Sequence, residues 1–123
     1  MTKILVVDDS STVRDEVAGF LKKHGLAVDT AVDGKDGLSK VAADPSVKLV
    51  VCDVNMPNMD GLTMAEKVRS ELRNSAVNIV MLTTENAPAM KERGKAAGIK
   101  GWIVKPFNGP AVLATFKKLA GAA

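Results

Sequence analysis

Five short runs of β-branched and apolar residues recur along the chain, and each is followed by a stretch with helical periodicity. The runs are Lys3–Val7, Ala27–Ala31, Leu49–Asp53, Asn78–Thr83 and Gly101–Val104. The helical stretches are Ser11–Lys23, Lys35–Ala43, Leu62–Leu72, Pro88–Ala97 and Pro110–Ala120. Strict alternation of this kind predicts an α/β domain with a parallel sheet. Runs one, three and four are apolar without a break, as strands covered on both faces must be. Periodicity places Val13, Val17, Phe20 and Leu21 inward on the first helix. It does the same for Leu62, Ala65, Val68 and Leu72 on the third, and Val112, Leu113, Phe116 and Leu119 on the fifth. The fourth helix is thin in apolar residues. Its inward candidates are Ala89, Met90, Ala96 and Ala97, and Gly94 in its middle costs ~1 kcal/mol relative to alanine. Gly25, Asp44-Pro45, Pro57–Gly61, Gly98 and Pro110 supply the stops and starts between elements.

A chain of 123 residues is the length of one domain, expected here to span residues 1–123 with no room for an output module. No apolar run approaches the ~20 residues of a membrane span. Ile4–Val7 is too short for a signal peptide and runs into Asp8-Asp9, so a cytoplasmic chain is expected. The single cysteine, Cys52, excludes an internal disulfide and a multi-cysteine metal site, and its apolar strand predicts a buried, inert side chain. A single histidine, His24, argues against a histidine zinc site. One tryptophan, three phenylalanines and no tyrosine argue against base stacking on nucleic acid. The chemistry must therefore run on carboxylates, hydroxyls and lysines.

In an open parallel sheet, ligands bind beyond the carboxyl ends of the strands. Those ends carry Asp8 and Asp9, Asp53, Thr83 and Thr84, and Lys105, whereas the second strand ends in Ala31-Val32 and offers no chemistry. Each residue taken singly has a local explanation. Asp8-Asp9 can cap the first helix, Asp53 can open a turn, and the threonines can cap the fourth helix. Taken together they converge on one rim. Three unpaired carboxylates in close quarters repel one another, and a divalent cation removes that repulsion. Mg²⁺ takes oxygen ligands, one or two of them carboxylates, together with phosphate oxygens. A hydroxyl and an ammonium beside it complete a set suited to phosphoryl transfer.

The stretches Val6–Ser10, Asp53–Gly61, Met81–Glu85 and Lys105–Phe107 stand in this order, each at the end of its predicted strand. With them the whole chain resembles the receiver domains of two-component response regulators, and among these the stand-alone, CheY-like chemotaxis regulators. The resemblance implies a flavodoxin-like, doubly wound (βα)5 three-layer sandwich whose five-stranded parallel sheet has the order 2-1-3-4-5. It implies that Asp53 accepts a phosphoryl group from a kinase phosphohistidine. Asp9 and Asp53 would bind Mg²⁺, with Mn²⁺ as a substitute. Asp8 would act through a water, and Asn55 would offer its backbone carbonyl. Thr83 and Lys105 would contact the phosphoryl oxygens, and the Lys105–Pro106 bond would be cis. Asn55 and Glu85 would tune dephosphorylation. Trp102 stands where the family has tyrosine or phenylalanine, and would turn with Thr83 as a switch. His24, at the far end of the first helix, is not expected to donate phosphate.

The implied protein is a monomeric switch rather than a metabolic enzyme. Its expected partners are a CheA-like histidine kinase, an effector such as a flagellar motor switch component, and a phosphatase, with no nucleic acid and no membrane insertion. Residues 88–123 carry seven basic side chains against one acid, whereas the net charge of the whole chain is +3. That excess points to a docking face built from the fourth helix, fifth strand and fifth helix, with Lys91, Arg93, Lys95 and Trp102 on it. A phosphate sink or shuttle for another pathway is the alternative. A haloacid-dehalogenase-type phosphatase would need an aspartate two residues after Asp8, where Ser10 stands. A flavodoxin-type electron carrier would need a glycine- and hydroxyl-rich first loop and more aromatics.

Overall fold

The computed structural model describes residues 2–121. The strands are β1 (Lys3–Val7), β2 (Ala27–Ala31), β3 (Val47–Cys52), β4 (Asn78–Thr83) and β5 (Gly101–Val104). The helices are α1 (Ser11–Lys23), α2 (Gly34–Ala43), α3 (Gly61–Ser70), α4 (Pro88–Ala96) and α5 (Gly109–Leu119). All strand pairs are parallel, in the order β2-β1-β3-β4-β5. This is the flavodoxin-like arrangement.

Two apolar layers sandwich the sheet. On one face Val17 and Leu21 of α1 and Phe116 of α5 pack on Ile4, Val6, Leu49, Val51, Val80 and Leu82. On the other, α2, α3 and α4 cover Leu5, Val7, Val50, Cys52, Ile79 and Met81. Alternate residues of one strand thus feed opposite cores, which is why β1, β3 and β4 had to be apolar throughout. A fully buried leucine or phenylalanine contributes ~1.5–3 kcal/mol. Leu5 of β1, Leu49 of β3, Leu21 of α1 and Phe116 of α5 are all at 0% exposure, so each contributes in full.

Helix starts depart from the sequence expectation in a consistent way. α2, α3 and α5 each begin one residue earlier, at a glycine, because Asp33, Asp60 and Asn108 cap them and accept from the N–H of Asp36, Thr63 and Ala111. β3 starts earlier, at Val47, and stops at Cys52, leaving Asp53 just beyond the ladder. α3 ends at Ser70, short of Leu72.

On α4 the expected inward face is corrected. Met90 and Ala97 pack on the core, but Ala89 and Ala96 are exposed. Gly94 is buried instead, and a Cβ there would lie 2.5 Å from Cδ1 of Ile99. The glycine lets α4 settle onto a side chain that follows the helix, which the periodicity within the helix does not contain. Cys52 is fully buried, as expected. Among the described residues no helix is long and apolar enough to cross a membrane.

Candidate phosphoryl-transfer site

The parallel ladders bring the carboxyl ends of β1, β3, β4 and β5 to one edge. The Asp8 N–H donates to the Ala31 carbonyl and the Asp53 N–H to the Val7 carbonyl, so the ladder bonds run one step past β1 and β3. Lys105 N–H donates to the Thr83 carbonyl and fixes the start of the last loop in the same way. The Lys105–Pro106 peptide is cis.

Carboxylate oxygens of Asp8, Asp9 and Asp53 lie within 4.8 Å of one another. Asp8 and Asp53 are buried, and Asp9 is exposed at the mouth. Lys105 Nζ reaches between the buried pair, 2.9 Å from Asp8 Oδ2 and 3.1 Å from Asp53 Oδ2. The second oxygen of Asp8 accepts from the Ser10 N–H at 2.9 Å, and that of Asp53 from the Val54 N–H at 2.7 Å. Arg14 donates to the Asp8 carbonyl and braces the turn. Burial pushes the Asp8 carboxyl above its ordinary pKa, against the lowering exerted by Ser10 and Lys105. Burial alone would pull the Lys105 ammonium down. Its hydrogen bonds and charge pairing with Asp8 and Asp53 outweigh that and hold it above its ordinary value.

The donor set is oxygen only and carries three formal negative charges, which fits a hard divalent cation such as Mg²⁺. Oxygens gathered within 4.8 Å of one another leave a single cation within reach of more than one carboxylate. The Asn55 side chain is exposed on the loop after Asp53, close in sequence to the cluster.

Thr83 ends β4 fully buried, whereas Thr84 is exposed. The Thr83 hydroxyl accepts from the Glu85 N–H at 3.1 Å. The Glu85 carbonyl in turn accepts from the Trp102 indole N–H at 2.9 Å. Trp102 is half-buried and lines a groove of about 200 Å³ with Lys91, Lys95, Ile99 and Lys100. Arg93 stands apart from this group. Its guanidinium points to α3, where it meets both oxygens of Glu66 at 2.8 Å and Thr63 Oγ1 at 3.0 Å. The expectation that Arg93 shares a face with Lys91 and Lys95 is therefore corrected: Glu66 captures it on the opposite side of α4. Lys100, which the sequence reading passed over, takes its place in the groove, and its position just before β5 was the available signal. His24 is exposed at the far end of α1, its ring 4.5 Å from that of Phe20.

A second groove, about 350 Å³, adjoins Lys105 and is lined by Val13, Glu16, Thr84, Pro106 and Phe107. Periodicity along α1 predicts Val13 in the core. Val13 does pack partly against the core, and it also lines this opening.

A family model for the response regulator receiver domain matches residues 4–117. The chemotaxis protein CheY1 of Helicobacter pylori is 41% identical over 112 residues, covering 90% of each chain. A CheY homolog of Campylobacter jejuni is 40% identical over 115 residues, covering 90% of this chain and 85% of its own. Among solved structures, CheY4 of Vibrio cholerae superposes with a TM-score of 0.87 at 40% identity, over 97% of this chain and 98% of its own. CheY in the Borrelia burgdorferi CheX–CheY–BeF3–Mg²⁺ complex gives a TM-score of 0.86 at 26% identity, over 96% of this chain and 88% of its own.

Proposed function

The chain belongs to the response regulator receiver domain family, and from that premise we propose that it is a phosphorylation-controlled switch in chemotaxis signalling, with Asp53 as phosphoryl acceptor. The observation that carries this reading is the convergence of the Asp8, Asp9 and Asp53 carboxylates with Lys105 between the buried pair.

An Asp53 carboxylate oxygen attacks the phosphorus of a phosphohistidine on a CheA-like kinase. The P–N bond breaks, its electron pair stays with the imidazole, and an aspartyl phosphate forms. Asp9, Asp53 and the Asn55 carbonyl would hold Mg²⁺ or Mn²⁺, with Asp8 acting through a water. When bound, the cation would supply positive charge against the phosphoryl oxygens. Lys105 Nζ supplies a second positive charge at the same oxygens, and the Thr83 hydroxyl donates to them.

The Thr83 hydroxyl accepts from the Glu85 N–H, which leaves its own O–H free for that donation, and the carbonyl of the same Glu85 is tied to Trp102. The bond chain gives the phosphoryl group a physical route to the Trp102 groove. The resulting shift in population is read at the face of α4, β5 and α5 by a partner such as a flagellar motor switch component. Asn55 and Glu85 flank the approach of the water that later releases phosphate, and a phosphatase would act there. The domain works in the cytoplasm as a monomer, without nucleic acid or membrane insertion.

The test is incubation with a labelled phosphodonor, acetyl phosphate or phosphorylated kinase, for wild type and Asp53→Asn. An acyl phosphate is cleaved by base, whereas the donor phosphohistidine survives base and is lost in acid, so label on this chain should be base-labile and lost in Asp53→Asn. Labelling that is independent of Asp53 would overturn it.

A further inference from the structure

The second strand ends in Ala31-Val32 and offers no chemistry, yet the residue after it is buried and doubly engaged. One oxygen of the Asp33 carboxylate accepts from the Asp36 N–H at 2.8 Å and caps α2. The other accepts from the Asn58 side-chain amide at 2.7 Å, across 25 positions of sequence. Asn58 lies in the loop between β3 and α3, the loop that begins at Asp53.

A backbone contact sits beside this bond. The Gly34 N–H donates to the Met59 carbonyl at 3.0 Å. A Cβ on Gly34 would lie 2.4 Å from that carbonyl oxygen, so only glycine admits the approach. Asn58 has φ of 68°, a left-handed conformation that asparagine tolerates better than most residues. At its other end the loop is pinned separately. The Gly61 N–H donates to the Val54 carbonyl at 2.9 Å, and the Val54 N–H donates to Asp53. Only Asn55, Met56 and Pro57 span the interval between the two pins.

We propose that Asp33 and Asn58 are positioning residues that hold the Asn55 carbonyl where a cation at the acidic cluster needs it. The inference rests on the reading of Asn55 as a metal ligand. A side-chain ligand can rotate to find its metal, but a backbone carbonyl goes where its loop goes. Mg²⁺ demands near-ideal octahedral geometry, so a loop free to swing would weaken the site. Groups that orient ligands from outside the coordination sphere typically matter by 10–100-fold in metal affinity. The Asp33 carboxylate makes a charge-assisted bond, the stronger kind, and Gly34–Met59 keeps it in register. The clasp also explains why a strand end with no reactive group lies against the phosphorylation loop.

The experiment measures Mn²⁺ affinity of the metal alone, from the loss of free-ion signal in electron paramagnetic resonance. It compares wild type, Asn58→Gly, Asn58→Asp and the exchange Asp33→Asn with Asn58→Asp. Asn58→Gly keeps the left-handed backbone accessible and removes the amide, while freeing the backbone at that one position, an effect the exchanged pair does not share. It should bind Mn²⁺ about tenfold more weakly, and the Gly34 amide should exchange with solvent faster in the metal-free protein. Asn58→Asp sets two carboxylates against each other and should also weaken binding, although added negative charge by itself would strengthen it. The exchanged pair restores the bond with donor and acceptor reversed, at the wild-type charge, and should recover most of the affinity. Equal affinity in wild type and Asn58→Gly would overturn the proposal, as would failure of the exchanged pair to recover in a protein that remains folded by circular dichroism. If wild type itself binds no Mn²⁺ in a manner sensitive to Asp53→Asn, the metal-site reading has failed instead.

Discussion

The Trp102 indole N–H donates to the Glu85 carbonyl at 2.9 Å, and this bond joins the β4–α4 loop to β5. Because the N–H of the same Glu85 donates to the Thr83 hydroxyl, two residues 19 positions apart share one peptide segment as their connection. Trp102 is the single tryptophan, and there is no tyrosine, so its emission reports this one place. Adding Mg²⁺ with beryllofluoride should shift that emission, and Thr83→Ala should blunt the shift because the acceptor at the start of the connection is gone. Fluorescence titration alongside fluorine NMR of the bound ligand checks this. An unchanged spectrum with ligand demonstrably bound would break the link between site and tryptophan.

Gly61 is predicted to be intolerant of any side chain. A Cβ there would lie 2.0 Å from the Asp53 carbonyl oxygen and 2.8 Å from Cys52 Sγ. Neither can retreat: one is backbone and the other is buried at 0% exposure. Gly61→Ala should lose about 1–3 kcal/mol of stability, or more if the acceptor loop is forced out. Urea unfolding gives the size of the loss. It should be larger than that of Gly19→Ala, where a Cβ meets nothing within 4 Å.

Charge at the Trp102 groove and charge on the other side of α4 should separate in experiment. Lys95→Glu and Lys100→Glu reverse charges that line the groove, and should weaken an acidic partner while leaving Asp53 labelling intact. Arg93→Ala removes an exposed pair worth ~0.2–1 kcal/mol and frees α4 from Glu66 and Thr63. Its first effect should be faster amide exchange along α4. Partner titration and hydrogen exchange on the same variants make the comparison. Loss of partner binding in Arg93→Ala with α4 exchange unchanged would contradict the separation.

Away from the site, Lys3 Nζ and Asp44 Oδ2 pair at 2.7 Å, tying the start of β1 to the end of α2. The hydrogen bond from Lys3, with help from Ser46, holds the Asp44 carboxyl at about 2 instead of 3.8. A depressed carboxylate pKa gives stability that is complete above the unfolded value and lost as pH falls through the folded one. The stability gap between wild type and Lys3→Met should therefore shrink as pH drops from 3.8 towards 2. Thermal unfolding across that range measures it. Asp53 labelling should not change in Lys3→Met.

The rim was readable because each of its members ends a strand. Asp8, Asp9, Asp53, Thr83 and Lys105 each follow an apolar run, and parallel strands all end on one side. The direction of Arg93 was not readable. A helix with few apolar residues does not declare which face it buries, and Gly94, the residue that seats it, looked like a defect. The bond from Asn58 to Asp33 was hidden for a different reason. Asp33 reads as an ordinary helix cap, and it is one; its second oxygen has a partner that only the folded loop brings near.

The order of elements, the double burial of β1, β3 and β4, and the membership of the acidic rim all follow from the sequence, because periodicity and chain direction are local properties that the backbone converts directly into geometry. Tertiary structure alone decided which side of α4 faces Glu66, which lysines share a groove with Trp102, and what fastens the loop after Asp53. Those outcomes depend on how helices and loops rotate as they dock. That rotation is set by close packing among residues 25 or more positions apart, such as Asp33 with Asn58 and Glu66 with Arg93.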